Sequence, residues 1–105
     1  MAWDEALAQA MRDDLAGLAV VEKRMFGGLA FMVGGHMVAG IHRGGAFFRL
    51  GKPNEGAGLG LPGTARMDMA GRAMPGMIAL TDARDAPRRA LMAMALGFVQ
   101  TLPPK

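Results

Sequence analysis

Three pairs of adjacent glycines divide the middle of this chain and limit what it can fold into. The pairs Gly27-Gly28, Gly34-Gly35 and Gly44-Gly45 cut a largely apolar stretch into short pieces. Pieces of roughly five to eight residues suit strands, and glycine accepts the positive φ that tight hairpin turns require. The pattern therefore predicts successive antiparallel strands with the sequences VEKRMF, LAFMV, HMVAGIH and AFFRL.

Amphipathic segments stand on both sides of this predicted meander. Apolar residues recur at spacings of three or four over residues 4–18 and again over residues 86–101. That period places the apolar side chains along one side of a helix. We therefore expect one helix before the strands and one after them.

The remaining third of the chain is rich in glycine and proline. Residues 51–66 are predicted to form a loop with at most one irregular helical turn, and residues 67–76 a further irregular stretch. Residues 77–81 suit a fifth strand. Together these elements predict an α+β fold, an antiparallel meander sheet of about four to five strands flanked by N-terminal and C-terminal helices. We expect residues 1–105 to form a single domain.

The short turns also predict which side chains share a face of the sheet. With two-residue turns, Val33 lies opposite His36, and His42 lies opposite Phe47. One face is then apolar throughout and suits the helices, whereas the other is mixed, with apolar, imidazole and guanidinium groups. We expect the mixed face to bind a partner or ligand. Its central residues are Phe31, Val38, His42, Phe47 and Arg49.

The residue inventory gives little support for catalysis. The sequence contains no Cys and no Ser, which removes disulfides, thiolate ligands and the commonest hydroxyl nucleophile. The threonines and carboxylates are not set in a nucleophile elbow or an acid–base pair. His36 and His42 are about 20 Å apart on one predicted strand and cannot share a metal ion within one chain, which leaves only a site between two copies. We predict a protein that is not an enzyme and uses no metal or cofactor.

Basic residues are concentrated in the middle of the chain. Between Lys23 and Asn54 there is no acid, and the basic residues are Lys23, Arg24, Arg43, Arg49 and Lys52. A basic face attracts nucleic acid or an acidic partner. The alternative, which we favour, is a solvated sheet edge whose charges discourage aggregation, because nucleic-acid binders usually show denser charge.

Methionine is unusually frequent, with 11 residues of this type. Five of them fall on predicted core faces and are explained as core filler, namely Met11, Met32, Met37, Met92 and Met94. Methionine-rich surfaces also adapt to varied partners. A groove or interface therefore stays open for the methionines that are less easily placed, which are Met67, Met69, Met74 and Met77.

The N-terminal segment has acids where a secretory leader needs basic residues. No apolar run approaches the roughly 18 residues that a membrane span needs. From these features we expect a cytoplasmic protein with no membrane partner.

A family resemblance begins at Lys23 and continues to Ile41, over KRMFGGLAFMVGGHMVAGI. Its core is Met25-Phe26-Gly27-Gly28, followed by an apolar hairpin. This segment resembles the N-terminal domain of the TfoX (Sxy) family, regulators of natural competence. Met69-x-Gly71-Arg72-x-Met74 and the closing Leu102-Pro103-Pro104-Lys105 extend the resemblance over nearly the whole chain. In physical terms, the glycine pair allows a sharp bend that Met25 or Phe26 anchors in the core, which is a structural role.

The resemblance implies an antiparallel sheet flanked by helices and no catalytic residues. Longer members add a C-terminal helical domain and act as co-regulators of competence-gene transcription, so this chain is expected to be a stand-alone short member. We therefore expect a protein-interaction module in transcription regulation. Its expected partner is a protein, with the transcription machinery and a second copy in a homodimer both left open.

Two other functions stay open at this point. One is nucleic-acid binding, with contacts from Lys23, Arg24, Arg43 and Lys52 in addition to Arg49. The other is a small-molecule or enzymatic pocket near His42, Arg49, Asp68 and Arg72.

Overall fold

The computed structural model describes residues 3–25, 27–42, 45–69, 71–81 and 85–103 of the chain. The helices and strands of this part, in chain order, are α1 (Glu5–Asp14), β1 (Val20–Met25), β2 (Gly28–Val33), β3 (His36–His42), β4 (Gly45–Arg49), a short 3-10 helix (Lys52–Asn54), α2 (Glu55–Leu59), β5 (Thr64–Met69), β6 (Arg72–Leu80) and α3 (Asp85–Val99).

The strands form one antiparallel sheet in the order β1-β2-β3-β4-β6-β5. The first four strands are a meander, as the glycine pairs predict. The chain then leaves the sheet, and β6 pairs with β4 while β5 takes the outer edge. The predicted α+β fold is confirmed, with 6 strands in the described residues instead of about four to five.

The first helix is shorter than its apolar pattern predicts. Asp4 caps its N-terminus, and the Asp4 carboxylate accepts hydrogen bonds from the backbone N–H groups of Ala6 and Leu7. The helix ends at Asp14, four residues before the predicted end, and Gly17 takes a positive φ of 88°. Leu18 consequently lies outside the helix, and 39% of its surface is exposed.

The prediction of an irregular stretch over residues 67–76 is wrong. These residues belong to a hairpin of β5 and β6, in which Gly71 takes a positive φ of 77° next to the turn. Gly76 lies inside β6 with a positive φ of 79°, and a side chain there would come within 2.9 Å of the Gly51 backbone. Glycine marks a bend and a close backbone approach within a strand here, which composition does not distinguish from a loop.

The predicted register of both central hairpins needs correction. Val33 does pair with His36, but Phe31 pairs with Ala39 because Val38 is an extra residue in β3 at a β-bulge. Across the next turn His42 pairs with Gly45, so Phe47 lies opposite Gly40 and not opposite His42. A bulge reverses the face of every residue beyond it.

The reversal changes which residues form the core under the helices. Phe31 and Val38 are fully buried there with residues of α1 and α3. The remaining strand and helix residues of this core include Met11, Leu15, Leu29, Ile41, Phe48, Leu50, Ile78, Leu80, Leu91, Met92, Ala95 and Val99. We call this side of the sheet the helix face, and the opposite side the outer face.

The glycine pair of the Met-Phe-Gly-Gly motif has two distinct steric roles. Gly27 takes a positive φ of 73°, which a turn from β1 into β2 requires. Gly28 pairs with Met25, and a side chain at Gly28 would collide with the backbone carbonyl of Ile41. Met25 is half-buried, and Phe26 lies outside the described residues.

Candidate functional site

The outer face carries a second hydrophobic cluster that contains residues of strands only. Its buried members are Phe47, Met67 and Met77, and Met37, Met74 and Ala79 pack against them. Met67 and Met74 come from the β5–β6 hairpin, so the cluster extends along this face of the sheet toward the β5 edge. We call this set the methionine cluster. Thioether side chains are flexible and polarizable, and they pack favourably against the ring of Phe47.

A row of apolar side chains runs from this cluster to the edge of the sheet. Val21 of β1 pairs with Met32 of β2, and Met32 pairs with Met37 of β3. Directly opposite residues of antiparallel strands point to the same side, so all three lie on the outer face. The methionines are half-buried, and Val21 is 58% exposed. The outer face thus presents a continuous apolar band that ends at an exposed valine.

Gly40 and the two rings beside it shape the middle of the outer face. His42 stacks on Phe47 with 5.5 Å between ring centroids and an interplanar angle of 19°. Phe47 lies across the Gly40 position, where a side chain would overlap its ring. The absence of a side chain at Gly40 therefore lets Phe47 lie flat against β3, where it is only 4% exposed.

Charge on this face is basic where it is exposed. Lys23 pairs with Ala30 and lies on the outer face two positions from Val21. Glu22 points to the helix face, where it binds Arg12. Strands β1 to β4 contain no other acid, so they give the outer face no negative charge.

The five residues expected on one mixed face divide between both sides of the sheet. Phe31 and Val38 are fully buried on the helix face, whereas His42 and Phe47 stack on the outer face. The guanidinium of Arg49 lies 5.6 Å from the ring centroid of Phe98 in α3. The bulge at Val38 explains the division. Binding by His42, Phe47 or Arg49 stays a prediction, but their grouping with Phe31 and Val38 is wrong.

The proposed nucleic-acid contacts do not line one stripe. Lys23 is level with Phe47 in the register but three strands, or about 14 Å, away from it. Arg24 points to the helix face, with its guanidinium 5.7 Å from the ring centroid of Trp3. Lys52 follows the end of β4. Arg43 lies outside the described residues, and nucleic-acid binding stays a prediction.

The four residues of the predicted pocket are also spread along the sheet. His42 pairs with the first residue of β4, and Arg49 is the last residue of that strand. Asp68 and Arg72 lie in the β5–β6 hairpin. Among the residues that the structure describes, no group of three or more His, Cys, Asp or Glu side chains is placed to hold a metal ion.

Ion pairs attach α1 to the first strand on the helix face. Arg12 donates hydrogen bonds from Nε and Nη2 to the two carboxylate oxygens of Glu22, at 2.7 and 2.9 Å, and from Nη1 to Glu5 at 2.7 Å. The hydrogen bonds from Arg12 hold the pKa values of Glu22 and Glu5 below the ordinary glutamate value, and Trp3 contributes at Glu5. These contacts fix the orientation of β1.

Two buried contacts attach α3 and the segment after it. Arg88 donates to Asp14 at 2.7 and 3.2 Å, and the two side chains are only 5% and 9% exposed. His36 Nε2 lies 2.5 Å from the carbonyl oxygen of Pro103, so this nitrogen carries the proton and donates. The first contact joins α3 to α1, and the second joins the segment after α3 to β3 of the sheet.

Of the residues in the methionine cluster, the sequence left Met67, Met74 and Met77 open for a groove or interface and placed Phe47 on the mixed face. It placed Met32 and Met37 under the helices and did not single out Val21. Alternation along β1 carried little signal, because Lys23 is charged like its neighbours Glu22 and Arg24 and only Val21 is apolar. The pairing of β1 at the sheet edge, which decides exposure, was not readable from that alternation.

The described residues form a small α+β domain whose candidate site is an apolar surface on the outer face of the sheet. No helix in this part of the chain is long and apolar enough to cross a membrane. A family model for the TfoX N-terminal domain matches residues 14–93, and the chain belongs to this family. It is not a known enzyme family. No curated protein and no solved structure matches the chain significantly.

Proposed function

We propose that this chain is a non-enzymatic protein-interaction module that binds a protein partner on the outer face of its sheet. The observation that carries the proposal is the apolar band from Val21 through Met32 and Met37 to the methionine cluster. A sheet that is covered by helices on one side normally has only that face apolar. Here the helices cover the helix face, and the outer face carries the apolar band as well. An apolar band on the second face is typical of a binding surface.

The side chains of the band suit protein recognition better than chemistry on a small molecule. Methionine side chains adjust their conformation to the surface that they meet, so one band can accept more than one packing partner. The band runs across strands and is bordered by Lys23. A partner with apolar side chains next to acidic ones therefore complements it.

Membership of the TfoX N-terminal domain family supports a regulatory role. In such a role the module acts by holding another protein, and it needs no catalytic group of its own. We propose that the partner belongs to the transcription machinery or controls its access to genes.

The test compares two glutamate substitutions on opposite sides of the molecule. Met32→Glu places a negative charge in the apolar band, and Ala93→Glu places the same charge on the exposed side of α3. Tagged full-length chains are used to retain partners from extract of the source cells. Circular dichroism and thermal unfolding show whether each variant is folded.

We expect the wild type and Ala93→Glu to retain the same partner. Met32→Glu should retain at least about tenfold less of it, which corresponds to a loss of about 1.4 kcal/mol in binding free energy. Retention by Met32→Glu together with loss by Ala93→Glu would move the binding surface to the helix side. Failure of the wild-type chain to retain any protein would contradict the proposal.

A further inference from the structure

The two large apolar side chains that are exposed in the described residues lie three positions apart in sequence. They are Leu18, which is 39% exposed, and Val21, which is 58% exposed. Leu18 precedes β1 and Val21 lies within it. Val21 has a cross-strand neighbour, Met32, on one side only, because β1 is an edge strand. Val21 is exposed because no strand of the sheet lies on the other side of β1.

The two edges of the sheet differ in how they are protected. At the β5 edge the register shifts between Arg66 and Asp68, and an irregular edge resists pairing with another strand. At the β1 edge all six residues from Val20 to Met25 pair with β2 in one unbroken register. The outer side of β1 is therefore a straight row of backbone donors and acceptors.

Contacts from α1 and from Trp3, which precedes it, hold this edge in the conformation of a strand. Glu22 is bound by Arg12, and Arg24 lies against Trp3. Both contacts engage side chains on the helix face, so they leave Val21 and Lys23 on the outer face. A strand that is already ordered loses little conformational entropy when another segment pairs with it.

We propose that β1 accepts an extended segment of a protein partner as a seventh strand, with an apolar residue beside Val21 and an acidic residue beside Lys23. This inference rests on the proposed function and names how the partner is held. Backbone hydrogen bonds to β1 provide affinity, and the two outer-face side chains provide selection. The added apolar residue extends the band formed by Val21, Met32 and Met37.

A second copy of the chain fits this edge less well. If two copies paired through β1 in one continuous sheet, outer-face residues of one copy would lie opposite outer-face residues of the other. The two-fold axis would then pass through one residue of β1, which pairs with the same residue of the second copy. Centring on Glu22, Lys23 or Arg24 sets two like charges directly opposite, which destabilises a strand pair. Centring on Val21 leaves only residues 20–22 of each β1 strand to pair. Centring on Lys23 also sets Glu22 opposite Arg24 of the second copy, but both oxygens of Glu22 already accept from Arg12.

The test uses the full chain labelled with ¹⁵N and a short blocked threonine peptide as the probe. The peptide carries one valine and, two positions away, one glutamate. A first control peptide has lysine in place of the glutamate, and a second has N-methyl groups on the amides that would pair with β1. Chemical-shift changes of the backbone amides locate the peptide, and their titration gives its affinity.

We expect the acidic peptide to shift the amides of residues 20–25, and the N-methylated peptide to leave them unchanged. Lys23→Glu should weaken the acidic peptide by about three- to tenfold and strengthen the lysine peptide by a similar factor, because cross-strand charge pairs reverse sign. Lys52→Glu makes the same change of charge beyond the end of β4 and should leave both affinities unchanged.

Several results would overturn the proposal. They are no binding of the acidic peptide, shifts confined to the methionine cluster, no response to Lys23→Glu, or a dimer in light scattering that Val21→Lys dissociates. None of these results changes the outcome expected when Met32→Glu is compared with Ala93→Glu. Failure at the β1 edge is therefore distinguishable from failure of the outer face as a binding surface.

Discussion

Gly40 is the residue on which the shape of the outer face depends. A side chain there would overlap the ring of Phe47 and lie 2.8 Å from the carbonyl oxygen of Leu29. The ring has some freedom to move, but the backbone of β2 does not. Sequence reasoning assigned Gly40 to a strand without a reason for glycine there, because the close approach of Phe47 depends on a register that the bulge alters.

Substitution of Gly40 tests this packing. We expect Gly40→Ala to lower the free energy of unfolding by about 1–3 kcal/mol, since overpacking strains the ring and the neighbouring strand. Urea unfolding followed by circular dichroism measures it. Gly56 in α2 is the matched control, because no atom lies within 4 Å of a side chain placed there. Gly56→Ala should be neutral or stabilise by up to about 1 kcal/mol, as alanine favours the helix.

The buried pair of Asp14 and Arg88 makes a second prediction at the residue scale. Asp14→Ala removes a carboxylate that accepts two hydrogen bonds from the buried guanidinium of Arg88. We expect a loss of about 2–3 kcal/mol in the free energy of unfolding, whereas Asp13→Ala, at an exposed neighbouring position, should change it by less than about 0.5 kcal/mol. Equal effects of the two variants would show that the pair does not hold α3 to the first helix.

At the scale of elements, the attachment of α1 to β1 depends on ionised carboxylates. The pKa values of Glu22 and Glu5 are lowered in the fold, chiefly by hydrogen bonds from Arg12. A lowered folded pKa means that the stabilisation is present above the unfolded value and is lost as pH falls through the folded one. The carboxylate of Glu55 behaves alike, since the backbone N–H of Gly76 and then Arg66 lower its pKa.

We therefore expect the urea midpoint to fall as pH drops below the ordinary glutamate value of 4.5. Glu22→Gln should lower the midpoint at neutral pH and make its decrease in acid shallower, because this variant has one titrating group fewer. A series of urea titrations between neutral and acidic pH measures both effects. A wild-type midpoint that stays constant or rises in acid would contradict these ionic attachments.

Elements were predictable from the sequence where turn residues and periodicity agreed. The glycine pairs located β2, β3 and β4, and apolar spacing located both long helices. The β5–β6 hairpin was not predictable in the same way. Its glycines at positions 71 and 76 serve a turn and a bend inside the hairpin, and its apolar residues are methionines separated by charged or small residues. Pairing of β5 with β6, together with pairing of residues 77–80 with β4, makes this segment a hairpin, and local preference does not.

At the scale of the whole molecule, one inserted residue decides which surface is available. Val38 shifts β3 relative to β2, so Phe31 turns under the helices while Met32 and Met37 turn outward. Alternation predicts two faces correctly but cannot detect an extra residue within one strand. The fold class was consequently predictable to a greater extent than the candidate site, whose residues were drawn from both sides of the sheet.

The most direct test of the outer face as the binding surface is photo-crosslinking inside cells that express the full chain. A photoreactive amino acid replaces Met32 in the apolar band or, as the control, Ala93 on the exposed side of α3. We predict a discrete crosslinked protein from position 32 and none from position 93. A crosslinked protein from position 93 alone, or the same products from both positions, would contradict an account in which the helix-free face holds the partner.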